Sequence, residues 1–271
     1  MAYVPQEMTY RVGQMWHPAG PRKRWLNDGR LHLHHGPIDL VVGADGAPDG
    51  LEQAFSAAID RFETVLEELV SELALLRKPV CPKACRPKGR VAKRMWAATM
   101  PHAEIFRDAN YVTAMAAVAG AVADEILSVM RESADLDRIY VNNGGDIALY
   151  LHSSAVSVPH YTVGVCADPD VEFNSGFTYD ALTGGLAAIP VSNVFAGKIK
   201  ITAADLVGGI ATSGWKGRSH SLGVADLVTV LAPTAAAADV AATLIANAVR
   251  PGDDKEIDWL GVQRLPANAL S

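Results

Sequence analysis

Ile139-Tyr140-Val141-Asn142-Asn143-Gly144-Gly145-Asp146-Ile147 passes from a β-like run into a glycine turn and an acid. Ile139, Tyr140 and Val141 are strand formers. The paired glycines let the backbone take positive φ and let a ligand approach the main chain closely. Asp146, at the end of such a turn, suits a ribose hydroxyl or a metal ion. Spacing alone favours the plainer account, a strand-ending turn with a capping Asp, because a bare Gly-Gly-Asp is a weak motif.

Outward from this stretch, helices and strands interleave. Upstream, small residues from Thr113 to about Met130 predict a helix that packs closely. Leu51 to Leu76 predicts a long helix, with Phe55, Ile59, Phe62, Leu66, Leu69 and Val70 recurring at helical spacing. Before it, Leu31 and Leu33, then Ile38-Asp39-Leu40-Val41-Val42, predict a strand pair turning at Gly36-Pro37. Residues 1–30, with Pro18-Ala19-Gly20-Pro21 and Arg22-Lys23-Arg24, read as a loosely structured arm. Downstream, Tyr161–Val165, Val207–Ala211 and Leu227–Leu231 predict strands, and Ala235–Val249 predicts a helix stopped by Arg250-Pro251-Gly252. The expected class is α+β, with long helices layered on a mostly antiparallel sheet. Residues 31–271 are expected to form one domain of two intimately packed lobes.

Composition sets bounds. At 271 residues and 49% apolar content the chain can bury a sizeable core. A net charge of −6 argues against nonspecific nucleic-acid binding. The first residues lack a basic segment followed by an apolar run, so no secretory signal is expected. The apolar windows Val112–Leu127 and Ala232–Val249 are interrupted by Asp124 and Asp239, short of a membrane span. Three cysteines do not make a disulfide framework, and the expected setting is the reduced cytoplasm.

Several groups are candidates for chemistry. Asp239 and Thr243, four apart on a predicted helix, project from one face. As hard oxygen donors they suit Mg²⁺, which takes few protein ligands plus water and phosphate. An acid near a helix start also simply favours the dipole, and Thr243 then fills a packing position. Gly208-Gly209-Ile210-Ala211-Thr212-Ser213-Gly214, followed by Arg218-Ser219-His220, can cradle a diphosphate; a flexible surface loop explains it nearly as well. Cys81 and Cys85, at C-x3-C spacing without a second pair, read better as ordinary thiols than as a zinc site. His32 and His34 share a strand face that His35 does not, so surface or rim histidines are expected rather than a metal site. The basic run 77–94 reads as a solvated loop, with a lid over phosphates as the alternative.

Taken in order, these pieces resemble the ApbE family, the FAD:protein FMN transferases. That family carries a helix motif G-I-A-K-G, then V-N-A-G-G-D-I, a strand with V-G-I and D-P, a T-S-G turn, and a helix with A-D-x-x-A-T. Here they match Ala116-Ala117-Val118-Ala119-Gly120, Val141-Asn142-Asn143-Gly144-Gly145-Asp146-Ile147, Val163-Gly164-Val165-Cys166-Ala167-Asp168-Pro169, Ala211-Thr212-Ser213-Gly214 and Ala238-Asp239-Val240-Ala241-Ala242-Thr243. The resemblance covers about residues 113–249 and implies an ApbE-like fold binding Mg²⁺ and FAD. It implies that Asp239 and Thr243 hold the metal, with a main-chain oxygen near Ala117 or Val118. Gly144, Gly145, Asp146, Thr212, Ser213 and His220 would line the nucleotide pocket. Two departures stand out. The family's lysine falls on Ala119, and its H-I-x-D-P-x-T-G segment is reduced to His220-Ser221-Leu222-Gly223-Val224-Ala225-Asp226. The resemblance therefore leaves open an enzyme that transfers or hydrolyses, a noncatalytic cofactor carrier, and a scaffold with an empty pocket. Helix 113–130 packs within the core or across a homodimer.

Overall fold

A computed structural model gives the fold and describes residues 20–83, 85–103, 112–153, 159–166, 177–180, 185–188, 195–215 and 221–249. The basic stretch expected in the arm forms an edge strand instead, β1 (Arg22–Trp25), with every side chain exposed. It pairs with β2 (Leu31–His35), and β2 turns at Gly36 into β3 (Ile38–Asp45). Gly36 has φ 57°, the left-handed conformation that a two-residue hairpin demands. Leu31, Leu33, Leu40 and Val42 alternate inward, so this hairpin sets one wall of the core.

Helix α1 (Pro48–Ser71) buries Phe55, Phe62, Val65 and Leu69 along one stripe. The single helix expected to Leu76 is broken at Glu72, and α2 (Leu73–Leu76) is one further turn. At the break the Glu72 carboxylate accepts the Lys88 and Gly89 N–H groups, at 2.7 and 2.8 Å. These lie just ahead of α3 (Arg90–Ala103), which takes Arg90, Lys93 and Arg94 out of the expected basic loop. The helix expected from Thr113 begins as a 3-10 turn, Ala114–Ala117, and becomes α4 at Val118–Ser133.

Strands β4 (Arg138–Asn143) and β5 (Asp146–Leu151) form a hairpin over Gly144 and Gly145, so the sequence turn connects two strands rather than ending one. Next come β6 (His160–Cys166), β7 (Phe177–Asp180), β8 (Gly185–Ala188) and β9 (Phe195–Thr202), then β10 (Gly209–Ser213) and β11 (Val228–Ala232). The chain is then α5 (Ala235–Ala248). Seven strands make one antiparallel sheet, in the order β1-β2-β3-β4-β5-β10-β11. The class is α+β, as expected.

The sheet is covered differently on its two faces. Ile139, Val141 and Ala148 face α1 and α4 in the main core, and Ala211 meets Ala238 and Ala242 of α5. On the other face, Tyr140, Ile147, Leu149 and Ile210 meet Tyr161, Val163, Ile199 and Ile201 of the β6–β9 ribbon. Among the described residues β7 and β8 pair only with each other. His35, expected at a surface or pocket rim, is instead buried against Phe62, with Nε2 3.6 Å from the Glu67 carboxylate. The odd parity that separates it from His32 and His34 turns it into the core beside Leu31 and Leu33. His32 pairs outside with Asp39. Among the described residues no helix is long and apolar enough to cross a membrane.

Candidate functional site

Helices α4 and α5 cap one another. A helix start leaves N–H groups without partners inside the helix, and α4 has no side-chain cap of its own. Its Gly120 N–H donates to Asp239 Oδ2 on α5, at 3.0 Å. In return Asp124, on α4, accepts the Ala235 and Ala236 N–H groups at the start of α5, at 3.0 and 2.9 Å. Thr234 closes the same turn by accepting from Ala237. The helices touch so closely that a Cβ on Gly120 would lie 2.3 Å from the Ala235 carbonyl oxygen. Only glycine fits there.

The β4–β5 hairpin brings a second acid to this junction. Gly144 and Gly145 both have positive φ, 65° and 114°, and the Gly145 N–H bonds Asn142 Oδ1 at 2.8 Å. The turn is thus two residues long, which sets Asp146 opposite Asn143. Asn143 donates its side-chain amide to the Ala119 carbonyl at 3.0 Å, tying the hairpin to the first turn of α4. Side-chain parity along β5 puts Asp146 on the helix-facing side with Ala148.

The carboxyls of Asp146 and Asp239 act on each other. Burial pushes Asp146 up to about 7, against the pull of the Thr212 N–H. Burial, then the charge of Asp146, push Asp239 up to about 8. The Gly120 and Ala119 N–H groups oppose that shift, and Asp124 adds to it. Two carboxylates in one partly buried place are costly to ionise together. Beside Asp239, one turn along α5, Thr243 Oγ1 lies 3.4 Å from Ser213 Oγ at the end of β10. The donors are two carboxylates and two hydroxyls, all hard oxygens, as Mg²⁺ requires when water and phosphate fill its other positions. Among the described residues no group of three or more His, Cys, Asp or Glu could hold a metal. A cation here would rest on the carboxylate pair.

The structure therefore gathers Asp146, Ser213, Asp239 and Thr243 around the α4 N-terminus, with the Gly144-Gly145 tip exposed nearby. Thr212 contributes differently from the expectation. Its hydroxyl is on the opposite face of β10, 2.9 Å from Thr229 Oγ1, and its backbone N–H serves Asp146. His220, Arg218, Asp168 and Pro169 lie outside the described residues. Sequence reasoning missed Asp124 and Asn143, which hold the junction without belonging to the pair. It also missed Glu125, fully buried among the guanidinium groups of Arg61, Arg90 and Arg94 at 2.8 to 2.9 Å. A buried acid in an Ala-rich helix, with an arginine pair four apart upstream, was the available signal. Cys81 and Cys85 are exposed, free thiols.

Fold and site together define an α+β protein in which two mutually capped helices hold an acidic pair against an antiparallel sheet. The chain belongs to the family described as AbpE bacteria, whose model matches residues 23–271. It is similar to a UPF0280 protein of Methanothrix thermoacetophila, 32% identical over 219 residues that cover 80% of this chain and 76% of that one. A UPF0280 protein of Methanopyrus kandleri is 29% identical over 219 residues, 80% of this chain and 73% of that one.

Proposed function

We propose that this chain binds Mg²⁺ through Asp239, Thr243 and Asp146, and through it the diphosphate of FAD or a related phosphorylated heteroaromatic cofactor, as the ApbE resemblance implies. The observation that carries the reading is the pair of carboxyls beside Thr243 and Ser213, Asp146 raised by burial and Asp239 by burial and the charge of Asp146. A divalent cation relieves their repulsion, and in the transferases it stabilises phosphate charge during group transfer. The exposed Gly144-Gly145 tip, with open space beyond Gly145, leaves the main chain approachable by a nucleotide. Phosphoryl or FMN transfer and hydrolysis are the reactions such a site serves. Exposed free thiols suit the reducing cytoplasm.

A second reading, a noncatalytic cofactor carrier, is favoured by Ala119. It stands where the family has a lysine and offers no cation to a phosphate. Calorimetric titration of FAD with and without Mg²⁺, with chromatography for AMP and FMN, separates the two. Mg²⁺-dependent binding that is lost in Asp239→Ala supports the site. Release of AMP or FMN then identifies an enzyme, and binding without turnover a carrier. No binding under either condition sinks the flavin assignment.

A further inference from the structure

A cavity of about 400 Å³ opens at the opposite end of the same strands. The carboxylate pair is at the start of β5 and the end of β10; the cavity is walled by Leu149–Leu151, at the end of β5, and by Gly208, just before β10. Its size is that of a small-metabolite site. In a protein of net charge −6 its wall carries two guanidinium groups, Arg94 and Arg131, against the single carboxylate of Asp124. Both oxygens of that carboxylate already accept N–H groups from α5.

Arg94 is held from behind the cavity and Arg131 by an aromatic ring of its wall. Arg94 Nε is fixed by Glu125, at 2.9 Å, and Glu125 is itself fully buried. Arg131 stacks on the Tyr150 ring, 4.0 Å from its centroid, and among the described residues it has no carboxylate partner. A guanidinium held over an aromatic ring uses none of its N–H donors in a carboxylate pair, so they are available to an anion. The rest of the wall is largely apolar, with Leu127 and Leu149 inside. At the rim, Leu206 is 81% exposed and has φ 53°, a left-handed conformation costly for a residue with a side chain.

We propose that this cavity binds a small organic anion, a carboxylate or phosphate monoester on a compact apolar body. Arg131 and Arg94 hold the charged head, and Leu127 and Leu206 cover the body. The inference is independent of the metal reading. It is tested on the full chain by calorimetric titration with benzoate, phenyl phosphate and the neutral benzyl alcohol. Saturable binding is expected from at least one anion and not from benzyl alcohol. Arg131→Gln, at an exposed position, should keep its melting temperature within a degree or two and weaken binding about tenfold or more. Asp239→Asn should leave it unchanged, which separates this cavity from the carboxylate pair. The proposal is overturned if neither anion saturates up to roughly 10 mM, or if benzyl alcohol binds equally well. It is also overturned if Arg131→Gln has no effect or Asp239→Asn abolishes binding.

Discussion

Asp146 and Asp239 carry a pH signature that follows from their burial and mutual repulsion. Both titrate higher in the folded protein than the value near 4 of an unfolded chain. Their contribution to stability is thus fully present below about pH 4 and is lost as the pH rises through about 7 and 8. Without divalent cation, unfolding free energy should fall between pH 5 and 9 by up to about 7 kcal/mol from this pair. Millimolar Mg²⁺ should recover much of the loss at the alkaline end, as urea titrations at each pH would register. In Asp146→Asn one of the two charges is gone; the alkaline loss should shrink by half or more, and the Mg²⁺ effect should fade with it. A wild-type profile unmoved by Mg²⁺ would count against the metal site. Asp146 and Asp239 were singled out not by their short motifs alone but by the order in which those motifs follow one another along the chain. The face of Thr212 was not readable, since it depends on strand parity fixed by the Ala211 contact with Ala238 and Ala242. Asp124 was hidden for a different reason: its partners, Ala235 and Ala236, are more than a hundred positions away.

At the scale of elements, the α4–α5 contact depends on backbone proximity. Gly120→Ala gains about 1 kcal/mol of helix propensity, yet its methyl group would meet the Ala235 carbonyl at 2.3 Å. The clash wins, and a net loss of about 2 kcal/mol or more is expected by chemical denaturation. A second element-level dependence joins α1, α3 and α4 through Glu125 and its three arginines. Glu125→Gln removes the buried charge shared by three guanidinium groups, but Arg61 keeps Glu68 and Arg90 is half exposed, so it should cost about 1 to 2 kcal/mol, whereas Glu132→Gln, on an exposed pair, should cost less than about 1 kcal/mol. Thermal melts of the two variants side by side would decide this. Helix α1 was legible from apolar periodicity and α5 from its Arg250-Pro251-Gly252 stop, and both ended within a few residues of expectation. The break at Glu72 was not, because the apolar spacing runs on through it and its side-chain partners, Lys88 and Gly89, lie in the next segment. β5 was missed because it is half of a hairpin whose other half, ending at Asn143, looked like the end of a strand.

Across the whole molecule, the α+β class was legible because long amphipathic helices alternate with short β-branched runs, while strand order was not. β10 is inserted between β5 and β11, a pairing no local pattern announces. Burial grades the sheet from centre to edge: β4 lies between two strands and beneath α4, whereas β1 pairs on one side with all its side chains exposed. Amide hydrogen exchange should be slowest in β4 and fastest in β1 among these strands, with free energies of opening apart by several kcal/mol. Comparable protection of both would mean that another chain covers the β1 edge. The mutual capping of α4 and α5 also bears on how the protein is made. As the chain leaves the ribosome, everything up to β11 can emerge while the start of α4 still lacks Asp239. No nascent or prematurely ended product stopping before Ala235 can hold the acidic pair, so the pair is assembled in one late step, when α5 is released.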